Sequence, residues 1–210
     1  MIAPTQAVVY AIADKERGST APAGSAAMSV SLHAFAVQTF APMLRGLSGL
    51  IDKGAEHART SGSAPDALTE ARLAPDMLPL KHQVRFTCLQ ACQGVARLIG
   101  EEPPEEDGPE DTLEDLKARI ARAVAYIEAA PAARFEGAED RPIRFHLFER
   151  MWFEGNGLQY LRDWAMAHFY FHLVTAYDIL RHHGVGLGKA DYVSHVGYAL
   201  RPGGPDPKGA

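Results

Sequence analysis

The sequence predicts an all-α protein, an antiparallel four-helix bundle with a small β-hairpin between helices three and four. Three observations carry this reading. Four segments repeat apolar residues every three or four positions, the stripe of a helix that buries one face. One short stretch, Ile143 to Phe153, changes to a two-residue period, which is the signature of strands. A chain of 210 residues, 47% hydrophobic and 22% charged, also has enough apolar surface for one core.

The patterned domain runs over residues 28–193. Residues 1–27 end in Gly18-Ser19-Thr20-Ala21-Pro22-Ala23-Gly24-Ser25-Ala26-Ala27, which offers no face to bury, so a disordered or non-native leader is expected before Met28. The first helix spans about Ser31 to Arg59, with Leu32, Phe35, Ala36, Phe40, Met43, Leu47, Leu50 and Ile51 on one stripe. Pro42 removes one N–H of the helical ladder and is expected to kink or divide it, and Gly62 to end it. Asp76 is the expected cap of the second helix, whose inner stripe is Leu80, Val84, Thr87, Cys88, Ala91, Val95 and Leu98, closed by Gly100. An acidic connection, Glu101 to Glu110, leads to Asp111 and Glu114, which have capping-box spacing. The third helix follows through Leu113, Leu116, Ile120, Val124 and Ile127 to about Ala129.

Ile143, Phe145 and Leu147 then alternate with Arg144 and His146, and Met151 to Phe153 supplies a second run, giving the hairpin. The fourth helix runs from about Leu158 to His183 and stops at Gly184. It is apolar on most sides, so it is expected to be the most buried helix or to face a partner. Residues 194–210, rich in Pro and Gly from Arg201 to Pro207, read as a flexible tail.

Charge and composition exclude several classes. The formal net charge is -5 with no basic run, which leaves nucleic-acid binding without electrostatic support. The apolar stretch Ala7 to Ala13 falls well short of the roughly 20 residues of a spanning helix, and it lacks the basic flank of a signal peptide. The two cysteines, Cys88 and Cys92, sit four apart in one helix, where a disulfide would strain the backbone. A reducing compartment, and hence a cytoplasmic location, is expected.

Several segments resemble one family. They are Arg72-Leu73-Ala74-Pro75-Asp76-Met77, Gly137-Ala138-Glu139-Asp140-Arg141, the stretch from Phe171 through Tyr177-Asp178-Ile179-Leu180-Arg181-His182-His183 to Val185, and Leu187-Gly188-Lys189-Ala190-Asp191-Tyr192. Over about residues 28–193 the chain is similar to the uncharacterised bacterial family catalogued as domain of unknown function number nineteen ninety-three, grouped with the DinB/YfiT-like proteins. The resemblance implies an up-down-down-up four-helix bundle that is often dimeric. In other branches of that superfamily three histidines hold a divalent metal, and some members transfer low-molecular-weight thiols. A shared fold does not by itself fix a function.

His168 and His172 are the leading candidates for chemistry. Their four-residue spacing puts both on one helix face, among Leu161, Ala165, Phe169, Ala176 and Ile179. Imidazoles directed inward need partners, because a buried polar group left unpaired is costly. A divalent ion, zinc or nickel, would satisfy them; so would hydrogen bonds to Thr39, Gln83 or Thr87, or a role in a proton relay. The pair resembles the His-x-x-x-His of metal-bearing relatives, whose third histidine comes from the second helix near the positions of Phe86 and Thr87 here. His82 is the only histidine on that helix, and at 100° per residue it lies about 200° around from Leu80, away from the inner stripe.

The remaining candidates have plainer readings beside the chemical one. Cys88 is either a ligand or nucleophile near the histidines or a small core residue, and Cys92 is inert. His182 and His183 suit carbonyl capping at a helix C-terminus. Asp76 and Asp178 read as a cap and a solvated or ion-paired group rather than an acid–base pair. The acidic connection has no calcium-loop spacing. Tyr170, Val174 and Tyr177 form an outer apolar face, which either packs under the hairpin or makes a homodimer seam. The reading that results is a small-molecule-binding or catalytically cryptic bundle without a complete metal site. The alternative is a divalent-metal-dependent transferase or hydrolase using His168 and His172.

Overall fold

Ser31 opens the first long helix by accepting a hydrogen bond from the Ala34 N–H at 3.1 Å. In the computed structural model the described residues are 31–105, 108–148 and 151–199; the expected leader and most of the expected tail lie outside them. Helix α1 spans Leu32–Ser61 and ends at Gly62, whose left-handed φ of 73° suits a residue without a side chain. Pro42 neither divides nor ends it, and the helix runs through the proline as one element. A 3-10 turn, Pro65–Glu70, follows.

Helix α2 spans Leu80–Ile99. Its N-cap is Pro79, not Asp76, which is exposed; no side chain caps this end. Helix α3 spans Leu113–Ala129, and its capping box falls one residue later than the sequence suggested, on Thr112 and Asp115. The Asp115 N–H donates to Thr112 Oγ1 at 3.0 Å and the Thr112 N–H to Asp115 Oδ2 at 3.0 Å. Threonine in extended backbone presents its oxygen to the first turn, which leaves Asp111 free to approach Lys81 at 3.8 Å.

Strands β1 (Pro142–Phe148) and β2 (Met151–Asn156) pair antiparallel, with Phe145 opposite Phe153 and an irregularity between His146 and Phe148. The chain then enters a helix, α4, made of three consecutive stretches: Gly157–Gln159, a π-helical Tyr160–Ala165, and Met166–His182. Gly157 is required here. A Cβ would run into the Ala138 carbonyl, where the preceding loop crosses and Glu139 accepts from the Leu158 N–H at 3.1 Å. A short helix α5 (Lys189–Tyr192) is tied to α1 by the Lys53–Asp191 ion pair at 2.6 Å. Residues Ser194–Ala199, expected in the flexible tail, form a 3-10 helix beside α1.

The described residues are mostly helical, with one two-stranded sheet. α2 packs on both α3 and α4, and α1 packs chiefly on α3. Phe40 and Phe169 are both fully buried with ring centroids 4.8 Å apart; each such burial stabilises by roughly 1.5–3 kcal/mol. The most enclosed helix is α2, with no exposed residue between Leu80 and Ile99, not the more apolar fourth helix. Two of its cations are covered by acids from the connections around it: Lys81 pairs with Glu70, and Arg85 approaches Glu110 at 3.6 Å. α4 instead leaves Tyr170, Phe171 and Val174 exposed. No helix among the described residues is long and apolar enough to cross a membrane.

Candidate functional site

Where α2 meets α4, Gln83 and His172 form a polar contact between the two helices. Gln83 is buried, and its side-chain Nε2 donates to the Leu78 carbonyl at 3.0 Å. That bond fixes which end of the amide is oxygen, and the oxygen accepts from His172 Nδ1 at 2.8 Å. His172 therefore carries its proton on Nδ1, and Nε2 keeps a lone pair. Burial, and then the neighbouring His168, lower its pKa from the ordinary value to about 4, so the ring is neutral at physiological pH.

His168 adopts the same tautomer by a different route. Its Nδ1 lies 2.8 Å from the Trp164 carbonyl one turn earlier, an acceptor that only an N–H can satisfy. Its ring rests on Trp164 with centroids 4.2 Å apart. Phe86 and Phe171 flank His172 at 5.1 and 5.2 Å. Both histidines are half-buried rather than deep in the core, so the site is a polar, aromatic-walled face at the edge of the helix pair.

The aromatic wall continues into the hairpin. Phe145 and Phe153 stack at 5.3 Å, and both meet Tyr160 and Trp164 edge-on. Tyr160 and Trp164 belong to the π-helical stretch, and π-turns occur disproportionately at functional sites. The hairpin thus packs on Tyr160 and Trp164, while Tyr177 packs on Tyr192 at 6.0 Å. Periodicity did not reveal the π-stretch. The Asn156–Gln159 capping box that starts the helix was legible as Asn-x-x-Gln and was missed.

The other candidates fall elsewhere. His82 has an Nδ1 that is buried without a hydrogen-bond partner among the described residues. Burial, then Arg85, lowers its pKa, and its further charged neighbours are Glu110, Lys81 and Glu70. No three His, Cys, Asp or Glu side chains gather among the described residues into a group that could hold a metal. The histidine pair supplies two donors in the required tautomer, but His82 does not join them, so the described residues do not fit the three-histidine set that the resemblance implied.

Cys88 and Cys92 are buried and line a cavity of about 150 Å³ with Arg119, Arg122, Ala123 and Tyr126 of α3, apart from both histidines. His183 Nδ1 lies 2.9 Å from the Ile179 carbonyl, as expected of a C-terminal cap. Asp76 is exposed and Asp178 half-buried, and neither enters an ion pair among the described residues.

Residues 32–193 match the family described as Domain of unknown function (DUF1993). No curated protein matches the chain. Among solved structures, a DinB family member protein from Shewanella denitrificans is 34% identical, with a TM-score of 0.71 over 83% of this chain and 96% of that one. The match over most of the chain and the shared fold together make this protein a DinB-like member of the DUF1993 family.

Proposed function

We propose that this protein is a small-molecule-binding or catalytically cryptic DinB-like bundle, an antiparallel arrangement of α1 to α4 without a complete metal site. The ligand sits at the His168–His172 face. The observation that carries this reading is the pair of tautomers. Both rings spend their N–H inside the protein and keep a lone pair for a ligand, and aromatic rings beside them suit an apolar or planar body. The ligand expected is one that donates a hydrogen bond.

The same tautomers favour a second reading, a divalent-metal-dependent transferase or hydrolase, since a lone pair on each of two imidazoles also suits zinc or nickel. Histidine side-chain NMR together with thermal unfolding separates the two. Small donors such as imidazolidinone or phenol are expected to shift the ring signals of His168 and His172 and to lose their effect in His172→Ala. If no compound of this kind moves either signal, the binding reading is wrong. Added zinc or nickel raising the melting temperature of the native protein and of His82→Ala, but not of His168→Ala or His172→Ala, would install the metal reading instead. We also propose a homodimer through the outer face of α4, where Tyr170, Phe171 and Val174 are exposed.

A further inference from the structure

The C-terminal end of α2, the turn before β1 and β1 itself enclose a polar cavity of about 430 Å³, lined by neither histidine of the α4 face. Three arginines line it from these three places: Arg97, Arg141 and Arg144. We propose that this cavity binds a small anionic molecule, a carboxylate or a phosphate, through the guanidinium groups of Arg97 and Arg141, with any apolar part against Ile143 and Phe145.

Arg97 and Arg141 are held in position by neutral groups, and neither enters an ion pair among the described residues. Arg97 is half-buried, and its Nη1 donates to two neutral oxygens, the Tyr160 hydroxyl at 2.8 Å and Gln93 Oε1 at 3.0 Å. Its Cζ lies 4.0 Å from the centre of the Phe145 ring, and no carboxylate pairs with it among the described residues. Arg141 donates to the Leu98 carbonyl and lies against Gly100 at the end of α2. Arg144 lines the cavity differently: it rests on Trp152, with Cζ 3.2 Å from the ring centre, and pairs with Glu154 at 3.8 Å, both on β2, so its guanidinium turns across the sheet and away from Arg97.

Two acids share the lining, Glu101 and Glu102. Glu101 is taken by Arg134 at 3.0 Å. Among the described residues two cations without an ion pair, Arg97 and Arg141, therefore face one uncommitted carboxylate, Glu102, and the local balance favours an anion even though the chain is acidic. Guanidinium suits this task because its planar fork meets carboxylate and phosphate oxygens in pairs. Stacking on Phe145 and the bonds to Tyr160, Gln93 and Leu98 hold the two side chains beforehand, which lowers the entropy lost on binding. This inference does not rest on the histidine face.

Isothermal titration of the full chain with inorganic phosphate and with sodium hexanoate, at constant ionic strength in chloride, tests it. Saturable binding of at least one probe is expected. Arg97→Gln and Arg141→Gln should each weaken it about tenfold or more, while Arg162→Gln, an arginine paired with Asp163 elsewhere on α4, stays within about twofold. Arg141 lies in the turn before β1, outside helix and strand, so if Arg97→Gln does not fold the Arg141 variant decides. Retained binding in His172→Ala would separate this cavity from the histidine face. Phosphate alone would identify a phosphoryl ligand, and hexanoate alone a carboxylate with an apolar body. No saturable binding of either probe, or binding that both arginine variants leave intact or that Arg162→Gln weakens equally, would overturn the proposal.

Discussion

His172 is held neutral by burial and by His168, and this has a consequence for stability. In the unfolded chain the ring titrates near its ordinary value of about 6.5; in the folded protein it titrates at about 4. Between these values the unfolded state binds more protons, so stability rises with pH across the window. The contribution is fully present above about pH 6.5 and is lost as pH falls toward 4. Because the ring is only half-buried, solvent screening leaves roughly 1–2 kcal/mol of it. Urea unfolding of the native protein at about pH 7.5 and pH 5 should show a loss that His172→Gln reduces by about 1 kcal/mol. Equal losses in both proteins would reject the assignment. The sequence supplied the pair and named Gln83 among three possible partners. Choosing between Gln83, Thr39 and Thr87 depends on how far α2 and α4 slide along each other, which no helical stripe encodes. Thr87 is occupied within its own helix, donating to the Gln83 carbonyl at 2.8 Å.

At the scale of elements, the hairpin and the start of α4 are one packed unit. Gly157 lies where two backbone segments cross, and Gly157→Ala forces the Ala138–Glu139 turn to move. The expected cost is about 2–5 kcal/mol, read as a lower urea midpoint, and exposed Gly186→Ala serves as the control. A midpoint unchanged at Gly157 would mean that the crossing is looser than the structure has it. The element types were legible from the periods of 3.6 and two and from the glycines at Gly62, Gly100 and Gly184. The caps were not, because Asp76, Asp111 and Thr112 are all chemically able to cap and only the path of the chain selects among them. The π-stretch escaped for a related reason. A wheel of 100° per residue does not hold across Tyr160–Ala165, so the face assigned to residues after it was rotated. His168 and His172 consequently sit at the core's edge and not inside it.

For the whole molecule, composition misjudged which helix is central. α4 is the most apolar, yet α2 is enclosed by both neighbours, and its Lys81 and Arg85 are covered by acids from the connections around it. The apolar surplus on α4 belongs to the face proposed as the dimer seam. Light scattering at micromolar concentration should give about twice the chain mass of 22.8 kDa, and Val174→Glu should halve it. A monomeric native protein would remove the seam. One further consequence lies in the Leu78–Gln83–His172 chain of hydrogen bonds, seen as a question of mutational distance. A single nucleotide change turns a glutamine codon into one for glutamate. At position 83 that step would remove the donor to Leu78 and set a carboxylate against the imidazole. His172 would then hold a proton far more readily, and its titration by NMR should move up from about 4; an unchanged titration would show that burial alone governs it. The neutral face seen here is thus one mutation away from a carboxylate–histidine dyad, a starting point from which this scaffold could gain or lose proton-transfer chemistry without altering its fold.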